Sequence, residues 1–372
     1  MARQVQLRLR FKYLRRMRCL PLRLAAASAL IFAGAAACAE TYTAMIYSSP
    51  PGYPEMYVLG AGDNGMMTGL VDDGSGVKKA AYRTSSGYKI MHPAGWYDSR
   101  INDSWGATYH TGYGKTTSGA LEHALFWVGG GPGVDLHPAG AEYQLSEAFG
   151  GFDQFQVGTV GGNINCDDCG VFMLNHAGIW NRTAASFKRL HSLTHKETYA
   201  FGTDGIHHVG VGQNRADGSY NALLWNDTNS MGKNIRPSMS TSSQAIAVWG
   251  NQQGGFYTSV ATGGSQHAVI WAGTAASALD LNPNGVFVSS TIKAVRNGLQ
   301  VGSANPSANP AKYQAIAWHG SAATWINLHS KLPAPFQLWH SFAEGIDNLG
   351  NITGYVGNSA GTDVRPVVWV RS

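Results

Sequence analysis

Apolar and polar residues alternate along this chain in short runs, and one run recurs: a polar residue, alanine, two apolar positions and an aromatic anchor. It reads His123-Ala124-Leu125-Phe126-Trp127, His176-Ala177-Gly178-Ile179-Trp180, Asn221-Ala222-Leu223-Leu224-Trp225, His267-Ala268-Val269-Ile270-Trp271 and Gln314-Ala315-Ile316-Ala317-Trp318. Divergent copies, Lys78-Lys79-Ala80-Ala81-Tyr82 and Arg365-Pro366-Val367-Val368-Trp369, flank these. The anchors 82, 127, 180, 225, 271, 318 and 369 lie 45, 53, 45, 46, 47 and 51 residues apart. A short run of apolar residues on both faces predicts a buried strand, and self-similarity at this period predicts four-stranded propeller blades.

Other features keep register with the anchors. Ten or eleven residues after most of them comes a polar step, as in Met91-His92-Pro93, Leu136-His137-Pro138, Leu190-His191-Ser192, Leu281-Asn282-Pro283 and Leu328-His329-Ser330. Upstream of each anchor lies a glycine-turned hairpin such as Gly298-Leu299-Gln300-Val301-Gly302, preceded by a short strand such as Ile292-Lys293-Ala294-Val295. Each unit therefore supplies strands a (Ala-apolar), b (Gly-rich), c (Trp-bearing) and d (ending in the polar step). The last unit lacks d, whereas Tyr42-Thr43-Ala44-Met45-Ile46 reads as a d strand with no unit before it. Pairing those two segments would remove the exposed edges of an open array. The expected fold is all-β: a seven-bladed β-propeller of four-stranded antiparallel blades over residues 40–372, closed by the N-terminal strand on the last blade.

Charge changes the picture only at the N-terminus. The chain has 27 Lys+Arg against 22 Asp+Glu. Eight of the basic residues and none of the acidic ones precede residue 40, so the remainder carries 19 minus 22, or −3. A counterion-releasing basic face for nucleic acid is thereby excluded. Residues 1–39 combine an Arg-rich start, an apolar run from Leu24 to Ala37 and the small-residue end Ala37-Cys38-Ala39, the pattern of an export signal. Met17 is an alternative start, Arg15-Arg16 is a weak twin-arginine match, and a lipidated Cys38 is the less favoured processing route. No stretch is long and apolar enough for a transmembrane segment, so a secreted or periplasmic protein is expected.

The His-Ala-apolar-Trp unit followed by a Gly-rich hairpin resembles the HAF family of bacterial extracellular repeats, over essentially the whole of residues 40–372. That resemblance implies location and fold; the family hosts no single chemistry. The chain departs from it in carrying Leu-His-Pro where Asp-Leu-Gly is common.

Repetition sorts the candidate functional residues. A side chain that fills the same slot in several units serves the blade most simply. His123, His176 and His267 share one slot, and His92, His137, His191 and His329 another, so hydrogen bonding within or between blades is expected of them. Aligning strand a puts Ala148, Ala200, Ala247, Ala294 and Gly345 in one column with Arg100, and Tyr199 in another with Glu147, Lys293 and Glu344. Aligning strand b puts His110 and His208 where other units have Gln156, Gln300 or Met67. If first strands line the central channel, these polar groups gather at one mouth.

Two functions follow as expectations. The leading one is binding of an extracellular polymer, carbohydrate in particular, through aromatics such as Trp96, Trp105 and Tyr113, whose faces pack on sugar C–H surfaces. The rival is a polysaccharide lyase. Arg100 or Arg215 would neutralise the uronate carboxylate, and His110, His207, His208 and Tyr199 would serve as base or acid. A purely structural or adhesive repeat protein is a third. Paired glycosidase carboxylates and the nucleophile, Walker and zinc motifs are missing, and no cofactor is expected. Asp72-Asp73-Gly74-Ser75-Gly76 reads as a turn rather than a calcium loop. Cys166 and Cys169 lie in the insertion of the third unit and are expected to form a disulfide in an exported protein.

Overall fold

The computed structural model describes residues 40–372 except 167–169, 191, 193 and 229–230. The export signal and the Cys166–Cys169 disulfide therefore fall outside the described side chains, as does His191. The compact unit Glu40–Ser372 is an all-β propeller of four-stranded antiparallel blades. Five separate four-stranded sheets begin with the strands Asp98–Trp105, Tyr143–Phe152, His195–Thr203, Ser240–Trp249 and Phe287–Arg296. The other eight strands form one sheet. Its first half is His340–Ile346, Ile352–Gly357, Val364–Arg371 and Tyr42–Ile46; its second is Glu55–Ala61, Met67–Asp72, Lys78–Thr84 and Gly87–Ile90. A single parallel residue pair, Glu55 with Val364, connects the halves. The expected N-terminal pairing is present: Tyr42–Ile46 runs antiparallel to Val364–Arg371, with Ala44 opposite Trp369.

The tryptophan anchors are the core. Trp127, Trp180, Trp225, Trp271, Trp318 and Trp369 are among the largest fully buried side chains. In the divergent first unit the expected anchor Tyr82 is one residue out of register, and the anchor slot holds half-buried Arg83, whose guanidinium lies on the Tyr47 ring. The d signature marks the exit of the outermost strand rather than the strand itself. In five units the paired outer residues are only two, for example Val134–Asp135 ahead of Leu136. The ladder still gains one bond there, because the Leu136, Leu190, Leu281 and Leu328 N–H groups donate to the carbonyls of Ala124, Ala177, Ala268 and Ala315.

The alanine of each strand c has a second task. Its N–H donates across to a hydroxyl on the first strand of the following unit: Ala80 to Ser99, Ala124 to Ser146, Ala177 to Thr198, Ala222 to Ser243, Ala268 to Ser290 and Ala315 to Ser341, at 2.9–3.0 Å. These buried donors sit at the junction between units and need an acceptor. The histidine of the polar step completes the clamp. His92 and His329 use Nε2–H to donate to the Trp96 and Gln337 carbonyls, so Nδ1 accepts from the Ser99 and Ser341 hydroxyls at 2.8 and 2.7 Å. His137 meets Ser146 at 3.0 Å, and Asn282 accepts from Ser290 in the same role. In the slot before alanine, His123 and His267 pair with Asp135 and Asp280 on the outer strand at 2.9 Å. Where Val364–Arg371 meets Glu55–Ala61, both partners of the clamp change together: Pro366, which has no N–H, replaces the alanine, and buried Met56 replaces the hydroxyl.

Every first strand carries a bulge at one place, between Val58 and Gly60, Ile101 and Asp103, Ala148 and Gly150, Ala200 and Gly202, Ala245 and Ala247, Ile292 and Ala294, and Ala343 and Gly345. The kink presses the carbonyl two residues before the bulged residue against strand b. A Cβ at Gly69, Gly112, Gly158, Gly210, Gly255, Gly302 or Gly354 would stand only 1.8–2.0 Å from that oxygen. Close approach of backbone to backbone is thus the reason for the glycine in each b strand. Gly255→Ala is expected to destabilise the protein at the upper end of about 1–3 kcal/mol or beyond. Gly119→Ala, which meets nothing within 4 Å, should stay within about 0.5 kcal/mol of the parent. Urea midpoints decide; equal midpoints would remove the account.

Candidate functional site on the propeller axis

The first strand of each unit packs on the first strand of the next, and His340–Ile346 packs on Glu55–Ala61. Together they surround a cavity of about 300 Å³ to which all of them contribute lining residues. The bulges decide what faces it. Leu59, Asn102, Phe149, Phe201, Ile246, Lys293 and Glu344, the extra residue of each bulge, all line the cavity. A bulge turns a side chain that would alternate away into the lumen. Lys293 is exposed and Glu344 half-buried; the enclosing walls, partly countered by Lys293, push the Glu344 carboxyl up to about 7.

Three residues further along, the first strands end at tight turns. Trp105, Phe152, Trp249 and Arg296 are the final residues of their strands. All four line the cavity and all are half-buried. The Trp105 and Phe152 ring centroids are 3.8 Å apart, and Trp249 lies 5.9 and 6.0 Å from them. The Arg296 guanidinium stands 4.9 Å from the Trp249 ring and 5.2 Å from Trp105, donates to the Ile346 carbonyl at 3.3 Å and reaches Asp63 at 3.6 Å. Asp103 accepts from the Gly151 and Ser104 N–H groups at 3.0 and 2.8 Å, yet burial pushes its carboxyl up to about 6. This mouth therefore combines broad aromatic faces, a planar cation and carboxyl groups.

The opposite level, two residues before the bulges, carries Arg100, Glu147 and Tyr199. The Arg100 guanidinium lies 4.1 Å from the Tyr113 ring, and its Nε is buried without a partner among the described residues. Burial, with Glu122 adding and Arg100 and Lys115 opposing, pushes Glu147 up to about 7. The Tyr199 hydroxyl accepts from Asn175 at 2.8 Å and is pushed up to about 12, chiefly by burial.

The expected columns need correction, because alanine stands both just before the bulge and just after it, as at Ala245 and Ala247, and an alignment on alanine slips by two residues between strands. Ala148 and Ala200 align with Ala245, Ile292 and Ala343, whereas Ala247, Ala294 and Gly345 lie two residues later, beside Asp103 and Gly150. Arg100 belongs one residue before the first of these columns, with Tyr199 and Glu147. Lys293 and Glu344 belong to the bulge level.

The strand b column stands as aligned, and its side chains are occupied. Gln156, Gln253 and Gln300 accept from the N–H groups of Arg182, Gly273 and Gly320, tying hairpin to outer loop. His110 and His208, each 1% exposed, bond Ser104 and Thr203 at 2.8 Å instead, and burial pushes both down to about 4. His207 meets Asp204 at 3.0 Å in a turn, and Arg215 is exposed in another turn, its N–H on the Thr194 carbonyl. Of the six expected catalytic residues Arg100 alone lines the cavity. Tyr199 shares its level; the four others lie elsewhere. Of the expected aromatics Trp105 lines the cavity, Tyr113 stacks on Arg100, and Trp96 packs in the core with Trp127. Phe152, Trp249, Arg296 and Asp103 were not expected. For Phe152, Trp249 and Arg296 the signal is a bulky residue just before the turn, as in Trp105-Gly106 and Trp249-Gly250; nothing comparable marks Asp103.

No protein-family model matches the chain, and no curated protein is similar to it in sequence. Solved structures are similar in fold. The β-propeller domain of the Trilobed protease from Pyrococcus furiosus aligns with a TM-score of 0.51 at 12% identity, over 78% of this chain and 84% of that one. A structure from a study of two prolyl endopeptidases aligns with a TM-score of 0.51 at 12% identity, over 88% of this chain and 46% of that one. The chain thus spans about half the length of that second protein. At such identity the likeness establishes a β-propeller and nothing about chemistry. No helix among the described residues is long and apolar enough to cross a membrane.

Proposed function

We propose that the chain is a secreted binding propeller that takes an extracellular carbohydrate polymer at the aromatic mouth of its axis. Its eight-stranded sheet counts as two blades touching through one residue pair, which makes seven, and the Tyr42–Ile46 strand closes the ring. The repeat supports grouping it with HAF-type extracellular proteins, and residues 1–39 support export. One observation carries the binding reading: Trp105, Phe152 and Trp249 converge at the end of the axis, half-exposed, beside Arg296 and Asp103. Aromatic platforms next to planar hydrogen-bonding groups are the chemistry that holds sugar rings.

Elimination draws less support. Of the histidines it would use as base or acid, His110 and His208 are sealed beneath hairpins with their basicity depressed by burial, and His207 pairs with Asp204 in a turn outside the cavity. Affinity chromatography on a panel of immobilised polysaccharides tests the proposal. Retention should appear on at least one matrix and weaken at least about tenfold in Trp249→Ala, while Trp249→Phe, which keeps a ring in place, retains much of it. Retention unaffected by Trp249→Ala, at an unchanged thermal midpoint, would overturn the mouth as the site. Unsaturated sugar released from a uronic-acid polysaccharide, and lost in Arg100→Ala, would favour the lyase instead.

A further inference from the structure

The bulge level of the axis is divided in two by chemistry. Phe149, Phe201 and Ile246 present no polar side-chain atom, and the two phenylalanine rings lie 5.4 Å apart. Lys293 and Glu344 share the same register position on first strands that pack against each other. Their opposite charges feel each other, but no ion pair within 4 Å or side-chain hydrogen bond joins them among the described residues. The half-buried Glu344 carboxyl is offset only in part by Lys293, whose ammonium is exposed to the lumen, so both groups are open to a further counter-charge. A cation alone would satisfy only Glu344, and an anion only Lys293. A molecule bearing both charged groups on one carbon, with an apolar body, satisfies the pair and the wall together.

We propose that this level is a binding site for a free apolar α-amino acid, its carboxylate on Lys293, its ammonium on Glu344 and its side chain against Phe149, Phe201 and Ile246. The cavity, about 300 Å³, lies at the small end of ligand sites and suits one such molecule rather than a polymer strand. The site is roughly 10 Å below the aromatic mouth, three residues along each strand. It does not depend on the polysaccharide reading, which rests on Trp105, Phe152 and Trp249 and is tested by different residues.

Isothermal titration of the purified protein with L-phenylalanine and L-leucine tests it, against L-phenylalaninamide, which lacks the carboxylate, and N-acetyl-L-phenylalanine, which lacks the ammonium. Both free amino acids should bind, and each blocked analogue should bind at least tenfold more weakly. Lys293→Gln should abolish the preference for phenylalanine over its amide, and Glu344→Gln the preference over the N-acetyl form. Glu344→Gln removes the half-buried carboxyl, so its thermal midpoint should hold or rise, whereas Lys293→Gln removes the cation that partly offsets it and should leave the midpoint unchanged or slightly lower. The analogue series on the unaltered protein remains decisive should either variant fail to fold. No heat of binding at millimolar ligand would overturn the proposal. So would equal affinity for the blocked analogues, or unchanged selectivity in both variants.

Discussion

Replacing Trp369 by alanine should lower the free energy of unfolding by about 3–5 kcal/mol, the range for truncating a large aromatic core residue. Trp369 is fully buried in a cluster with Val301, Ala317, Leu328 and Val356, and its Nε1–H donates to the Leu328 carbonyl at 2.9 Å. The substitution removes the apolar area, leaves a cavity and strips that carbonyl of its donor. The strand it sits on holds Ile352–Gly357 on one side and Tyr42–Ile46 on the other, so loosening it frees both neighbours. Besides a lower urea midpoint, amide exchange in Tyr42–Ile46 should accelerate more than in His195–Thr203, which makes no contact with the lesion. A loss under about 1 kcal/mol, or exchange that rises evenly through the molecule, would mean that this seam does not hold the N-terminal strand. It would also remove the main support for a closed ring.

The sequence carried the architecture because each unit repeats its chemistry. The buried tryptophan, the alanine that reaches the next unit and the glycine pressed by a carbonyl recur, and recurrence at a fixed period is legible without coordinates. The interblade hydroxyl was legible in principle, since Ser99, Ser146, Ser243, Ser290 and Ser341 keep register. Its meaning depends on a partner some twenty residues upstream, however, and that requires three dimensions. The axial site was only half legible. Tyr199 and Glu147 share a level as aligned, whereas Arg100, read one column later among the alanines, joins them only in three dimensions. Alanine recurs on both sides of the shared bulge, so alignment on alanine slips by two residues, and Lys293 and Glu344 were read at the level of Tyr199 although they are the extra residues of their bulges. His110 and His208 broke the pattern of their column and so looked functional. They replace a glutamine clamp by another hydrogen bond, to a hydroxyl that their own first strands supply at Ser104 and Thr203.

The same buried histidines should make the protein acid-labile between pH 6.5 and 4. Burial pushes His110, His208 and His329 down to about 4, against about 6.5 in the unfolded chain. For a base depressed in the folded state, the stabilising contribution is fully present above pH 6.5 and is lost as pH falls through 6.5 toward 4, roughly 3 kcal/mol apiece at the acid limit. His137 and His195 move in the same direction, also through burial. Glu147 and Glu344, raised to about 7, and Asp103, raised to about 6, act oppositely. Their penalty stands at high pH and is relieved as pH falls from 7 toward 4. Solvent decides between the two sets. The three histidines most displaced are 1–4% exposed, whereas the carboxyls are half-buried around the axis, where water screens them. The histidine loss should therefore prevail, and urea midpoints should fall from pH 7.5 to 4.5. His329→Asn isolates one group, because Asn282 already accepts the Ser290 hydroxyl in the equivalent place. The variant should cost about 1 kcal/mol at pH 7.5, and the deficit should vanish or reverse by pH 4.5. If the variant instead runs parallel to the parent across the whole range, the sealed histidines are not the source of the lability.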